Sequence, residues 1–289
     1  MRRKSQPGKR RLSYLLVTLI IVYFSGCWVL SGRYISPRRS VPEKPSYVES
    51  VLINGSHGKV PLWSSPRLAL KKDPKPVVFV CAHGYGGDRH HWLGLFSDLP
   101  SKGFEVVAPA MPAHDENPDS ECGFGVKEAK TLLDTVTWVR SQYDQSPKII
   151  LVGVSMGGAA CWLASAQDPT ISAVVTEAAF ADLETATTSY FDHALPLGRY
   201  VLLPVKWMAQ WRSGINPANV RPVDCAAIWK GKPALVIHDE EDSLFDKSNA
   251  ERLSKAAGCR LWVVAGAEHA QAMDMDQDGF VKALIEIAK

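Results

Sequence analysis

The chain has 289 residues, 46% hydrophobic, 22% charged and 9% aromatic, which excludes collagen-like, low-complexity and wholly disordered classes. That length fits one α/β domain of about 250 residues or two smaller domains. The net charge of +3 is uneven: residues 1–11 hold six basic groups and no acid, whereas 48–289 hold 23 basic against 29 acidic, so nucleic-acid binding is disfavoured.

Residues 12–30 (LSYLLVTLIIVYFSGCWVL) run for 19 positions without a charge. At about 1.5 Å per residue such a helix spans about 28 Å, close to the hydrocarbon thickness of a bilayer. Tyr14, Tyr23 and Trp28 lie along it or near its ends, where aromatic rings settle at the membrane interface. Arg2, Arg3, Lys4, Lys9, Arg10 and Arg11 precede the run, and Arg33, Arg38 and Arg39 follow it. The larger basic group favours a cytosolic tail over 1–11 and a domain on the periplasmic or extracellular side. A cleaved signal would need a shorter apolar run and a small-x-small site, and none stands before Ser31. Phe24-Ser25-Gly26-Cys27 loosely resembles a lipidation site, but Trp28, Val29 and Leu30 continue the apolar run. An uncleaved transmembrane anchor is therefore expected ahead of lipidation at Cys27. Residues 31–47, rich in Ser, Pro and Arg, read as a linker.

From residue 48 strand-like and helix-like stretches alternate. Segments 48–53 and 59–63 predict a leading hairpin around Asn54-Gly55 and His57-Gly58. The apolar run 77–82 (VVFVCA) reads as a strand buried on both faces, as do 104–108, 149–154, 173–176, 234–237 and 261–264. Helix patterns fill 92–101, 126–142, 156–167, 247–257 and 280–288. This alternation predicts an α/β fold with a mostly parallel sheet and helices on both faces. The stretch 180–228, rich in Tyr, Trp, Pro and Leu, is too long for one crossover and reads as an inserted helical cap. Cys81 and Cys161 sit in apolar runs and suit the core; any disulfide would involve Cys122, Cys225 or Cys259.

Gly153-Val154-Ser155-Met156-Gly157 matches G-x-S-x-G and stands between a strand run and a helix pattern, the setting this motif requires. A serine on so tight a turn has its hydroxyl exposed at the sheet's carboxyl edge, with the following helix aiming its amino-terminal dipole at developing negative charge. His83-Gly84-Tyr85-Gly86-Gly87 follows an earlier strand, and such a glycine-rich turn can offer a second backbone donor. The expected oxyanion donors are the N–H groups of Tyr85 and Met156.

In this arrangement an acid and then a base follow the serine in the chain. His269, just beyond the strand at 261–264, is the expected base; His193 falls in the cap, and His238 ends a strand. For the acid, His238-Asp239-Glu240-Glu241-Asp242 follows another strand. Asp242 is preferred, with Asp239 or Glu241 in reserve and Asp182 further off. Asp274 to Gly279 imitates the start of a calcium loop, but the required glutamate position holds Ile285, so loop and helix cap are expected there rather than a metal site. His90-His91 lacks a third ligand and reads as surface. Trp207 and Trp211, one helical turn apart, suit either core packing or a lipid- or acyl-facing lid.

Together these residues resemble the α/β-hydrolase fold family over about five-sixths of the chain, from residue 48 onward. The resemblance rests on Ser56-His57-Gly58, HGYGG, GVSMG, the HDEED segment and the terminal AEHA. Membrane-anchored α/β-hydrolase-domain proteins and serine-aminopeptidase-like esterases are the most similar branch, and Phe124-Gly125 with Glu128 agrees with it. Ala113-His114-Asp115-Glu116 departs from the family, where many relatives carry a G-x-G-x-S turn. The resemblance implies an acyl-enzyme mechanism on Ser155, with His269 as base and Asp242 orienting it, and no metal or organic cofactor. The implied substrate is a small-molecule ester or an acyl lipid beside the membrane. A peptidase or amidase uses the same machinery, and a non-catalytic hydrolase-like binding protein would lack a triad member, whereas all three residue types are present.

Overall fold

The computed structural model describes residues 7–66 and 76–289, so Arg2, Arg3 and Lys4 of the basic tail lie outside the described residues. Helix α1 (Pro7–Ile35) contains the uncharged run and continues past it. Residues 31–35, expected as linker, are its last turn: Ser31 and Ile35 are buried, and the Ile35 carbonyl accepts from Cys122 N–H at 2.8 Å. Polar content in that turn signalled an exit from the membrane. It did not reveal that one side of the turn packs on the domain.

The remaining elements follow the expected alternation. They are β1 (Glu49–Gly55), β2 (Gly58–Ser64), β3 (Val77–Ala82), α2 (Leu93–Asp98), β4 (Glu105–Pro109), α3 (Val126–Ser141), β5 (Lys148–Val154), α4 (Met156–Ser165) and β6 (Ala173–Glu177). Then come α5 (Leu183–Ala194), α6 (Gly198–Val201), α7 (Leu203–Ser213), α8 (Pro222–Ile228), β7 (Ala234–Asp239), α9 (Ser248–Ala257), β8 (Arg260–Val264), α10 (Ala272–Met275) and α11 (Gln277–Ala288). The eight strands form one sheet in the order β1-β2-β4-β3-β5-β6-β7-β8. β1–β2 and β2–β4 pair antiparallel; every other pair is parallel.

The continuous apolar strands are explained by a core on each face. In β3, Val78 and Val80 pack with α3, α4 and α9 on one side, while Phe79 and Cys81 pack with α2 and α11 on the other. A strand covered twice has no polar positions to alternate with. Cys81 and Cys161 are fully buried and, like the other four cysteines, free.

Within the stretch expected as a cap, α5 and α7 pack in smaller clusters with α1, but α8 packs on α4 and α9, with Ala226 and Trp229 inside the main core. The segment read as cap therefore ends in an ordinary layer helix. Along its carboxyl-terminal part α1 packs on α7, and Cys27 is buried against Phe191 and Val205.

Candidate active site

The turn from β5 to α4 places Ser155 at φ 53° and ψ −118°, a strained conformation for a residue with a Cβ. Its N–H donates to the Glu177 carbonyl at 2.8 Å, which ties the turn to β6. Glycine is required on both sides for steric reasons. A Cβ on Gly153 would lie 2.4 Å from the Gly157 carbonyl oxygen, and one on Gly157 would lie 2.1 Å from that of Ala82. The close approach of α4 to β3 thus depends on the G-x-S-x-G spacing.

His269 lies on the loop after β8. Its Nε2 is 3.0 Å from Ser155 Oγ, and its Nδ1 is 2.8 Å from Asp242 Oδ2. The Asp242 side chain is fully buried, and its other oxygen accepts from the N–H groups of Leu244 and Phe245, each at 2.8 Å. A carboxylate so held cannot turn away from the ring. Phe245 adds an edge contact on the imidazole at 5.1 Å. An imidazole with a carboxylate on Nδ1 donates there and leaves Nε2 free to accept a proton. The three residues preferred from sequence are therefore brought together.

The reserve acids stand elsewhere. Asp182 caps α5 and pairs with Arg252, and Glu241 is exposed. Asp239 Oδ2 accepts from Ala270 N–H at 2.8 Å, and Glu177 Oε1 accepts from Ala272 N–H at 2.9 Å. These two buried carboxyls seat the backbone on either side of Gln271 and so fix the loop that carries His269. Burial pushes Asp239 up to about 6; burial and then the nearby Asp239 charge push Glu177 above the usual carboxylate range. His193 is exposed and His238 is buried at the end of β7; neither takes the place of His269 beside Ser155.

The turn after β3 runs beside the serine, since a Cβ on Gly84 would lie 3.3 Å from Ser155 Cβ. Met156 opens α4, and the first N–H groups of a helix have no acceptor within it. Tyr85, next to Gly84 in this turn, and Met156 line the same cavity as Ser155. The departure at Ala113-His114-Asp115-Glu116 proves to brace this turn. His114 Nε2 accepts from Gly86 N–H at 2.9 Å, while its Nδ1–H donates to the Pro112 carbonyl at 2.7 Å. Asp115 holds Arg89, just beyond the same turn, through two bonds of 2.6 and 2.7 Å. Of the His90-His91 pair, His90 is exposed, but His91 is partly buried against Trp92.

A cavity of about 120 Å³, open to solvent, lies over Ser155. Its walls come from Tyr34, Tyr85, Phe124, Phe180, Leu183, Tyr190, Leu244 and Phe245, with no Asp, Glu, Lys or Arg among the lining residues. Tyr34 belongs to α1. Its ring stacks on Phe124 at 4.7 Å, its hydroxyl lies 3.2 Å from Thr187 Oγ1, and its carbonyl accepts from the Tyr85 hydroxyl at 2.9 Å. Phe124 leads into Gly125, where Glu128 accepts from the Gly123 and Gly125 N–H groups at 2.8 and 2.7 Å and caps α3. Farther round, Asp276 caps α11 by accepting from Gly279 N–H at 2.9 Å, the role expected for the calcium-like segment.

Sequence reasoning missed Tyr34, Tyr190, His114 and the Glu177–Asp239 pair. Only His114 left a signal, as the departure from the family's usual turn.

Residues 77–225 match the family described as the alpha/beta hydrolase fold. An uncharacterized 31.7 kDa Escherichia coli protein from the traX-finO intergenic region is 29% identical over 123 residues, 41% of this chain. The chain spans 42% of the length of that curated relative. Among solved structures, the Pyrococcus furiosus esterase Pf2001 is similar at 18% identity and a TM-score of 0.70, over 88% of this chain and 98% of its own. A bacterial membrane phospholipase A, described as a virulence factor, is similar at 15% identity and a TM-score of 0.59, over 96% and 97%. At such identities the likeness to solved structures is one of fold. With the parallel sheet, the serine turn and the family match over residues 77–225, the chain belongs to the alpha/beta hydrolase fold family.

Proposed function

We propose that this protein is a membrane-anchored serine hydrolase that cleaves carboxylic esters, acyl lipids among them. The observation that carries this reading is the hydrogen-bonded line from Asp242 through His269 to Ser155, ending in an apolar cavity. As Ser155 Oγ attacks the ester carbonyl, its proton passes to His269 Nε2, and Asp242 stabilises the resulting imidazolium. The oxyanion faces the N–H groups of Tyr85 and Met156; one such donor typically contributes about 3–4 kcal/mol to the transition state. Collapse expels the alcohol, which takes the proton from His269, and leaves Ser155 acylated. Water then attacks, gives a proton to His269, and that proton returns to Ser155 as the carboxylic acid leaves.

The cavity walls favour an acyl chain over a peptide, because they offer no charge to hold a terminus or a polar side chain. The similar esterase and membrane phospholipase A lend the same direction. In this reading residues 1–11 are a cytosolic tail and 12–30 cross the membrane, with the hydrolase domain, 48–289, outside the cytoplasm. A fluorophosphonate probe is expected to label the protein and to miss Ser155→Ala. Equal labelling of the variant sinks the proposal. Turnover of p-nitrophenyl esters is expected to exceed that of aminoacyl anilides.

A further inference from the structure

The cap carries an unusual outer face. Leu197, Tyr200, Trp207 and Trp211 are 69%, 69%, 58% and 75% exposed, so the packing account of the two tryptophans does not hold. Residues 195–213 contain Arg199, Lys206 and Arg212 but no carboxylate. Those cations are already matched. Arg199 pairs with Asp192 and Lys206 with Glu184, both on α5, while the Arg212 guanidinium lies 4.7 Å over the Trp28 ring. Charges paired in this way cost less to take out of water than free ones.

The position of this face follows from α1. No charged residue interrupts the chain from Leu12 to Gly32, and a bilayer core takes about 20 helical residues. The cap touches α1 inside that run. Trp211 packs on Trp28 at 5.8 Å, and the Val201 carbonyl accepts from the Tyr23 hydroxyl at 2.5 Å. Tyr23 stands five residues before Trp28, about 7.5 Å deeper along the helix axis. If α1 spans the bilayer, α6 and the start of α7 lie below the level of Trp28, within the outer part of the same leaflet. Raising the cap clear of the lipid would draw Phe24, Trp28, Val29 and Leu30 into water, and all four are exposed.

We propose that the outer face of α6 and α7 is a lipid-binding surface, with Leu197, Tyr200, Trp207 and Trp211 set into the interfacial layer of the leaflet through which α1 emerges. Aromatic side chains favour that layer. Here the anchor and the cap enter it as one body, so the cavity above Ser155, walled by Tyr34 of α1 and by α5, stands at the membrane surface. This rests on the reading of α1 as an anchor and needs no assumption about the chemistry at Ser155.

The test uses the full chain with Cys225→Ser and Cys259→Ser, reconstituted in phosphatidylcholine–phosphatidylglycerol vesicles. An environment-sensitive dye is placed by Trp207→Cys, by Leu19→Cys in α1, or by Glu286→Cys on the exposed side of α11. Spin-labelled lipid is expected to quench the first two by at least half and the third negligibly. Quenching at 19 but not at 207 overturns the lipid-binding face while leaving the anchor intact. Quenching at neither overturns the anchor and the face together. Blue-shifted emission at 207 that lipid quencher does not touch, but that fades as the protein is diluted in the bilayer, assigns the face to a second copy of the chain and overturns the proposal. Fluorophosphonate labelling of the same samples reports separately on the serine hydrolase reading.

Discussion

Asp242 accepts two backbone N–H groups on one oxygen and the His269 ring on the other, so its charge is used to hold one tautomer. Asp242→Asn preserves the shape but lets the amide turn its NH2 toward the ring, which reverses the tautomer. A loss in kcat of about 10³–10⁴ is expected, with KM nearly unchanged, measured on a soluble ester. A different imidazole governs stability in acid. His83 Nδ1–H donates to the Gly84 carbonyl and Nε2 accepts from Met111 N–H, an arrangement that only the neutral ring satisfies. Burial, with the His114 ring adding to it, pushes its pKa down to about 3. The folded state thus binds fewer protons than the unfolded state between the usual histidine value near 6.5 and about 3. The contribution is complete above about pH 6.5 and is lost as pH falls through that window. Urea unfolding from pH 7 to 4 should show a steeper loss for the wild type than for His83→Gln.

At the scale of elements, contact between α4 and β3 is the tightest joint around the serine. Gly157→Ala would force the first turn of α4 away from Ala82, and overpacking of this kind costs about 1–3 kcal/mol or more. A fall in Tm of several degrees is expected by calorimetry, whereas Gly26→Ala, with nothing within 4 Å, should leave Tm unchanged. The same joint shows what could be read in advance. The G-x-S-x-G turn and the doubly buried strands were legible because their demands are local: a glycine where backbones touch, and an unbroken apolar run where a strand is covered twice. The acid was harder, since Asp239 and Asp242 are three residues apart beyond the same strand, and only the fold decides that Asp242 meets the His269 ring while Asp239 meets the Ala270 N–H. Segment α8 was read as cap because a short Pro-initiated helix gives no periodic signal separating a layer helix from an insertion. The cavity wall was least legible. Tyr34 and Tyr190 are 156 positions apart in the chain and meet only because α1 and α5 cross the same opening.

For the whole molecule, the contacts divide α1 into two parts, one packed on the hydrolase fold and one free of it. Above that division, Ile35 is fully buried, Tyr34 forms a cavity wall, and Arg39 reaches the carbonyls of Asn117 and Asp119. Below it, Leu12 to Val22 are exposed along their length. Two truncations should therefore behave differently, although each leaves too short an apolar run to cross a membrane. Deleting residues 1–22 leaves the turns bearing Cys27, Ser31, Tyr34 and Ile35, so it should fold and keep most of its turnover of a short soluble ester. Deleting 1–35 uncovers Phe124, Tyr85 and Phe191 and forgoes burial of Tyr34 and Ile35, at about 1.5–3 kcal/mol for each large side chain. Its Tm is expected to fall by about 10 °C, and KM for long acyl chains should rise more than KM for short ones, because the missing wall lies beyond the carbonyl. Thermal unfolding and an acyl-chain series on the two truncations check this. Equal Tm and equal chain-length dependence would mean that α1 is a tether alone.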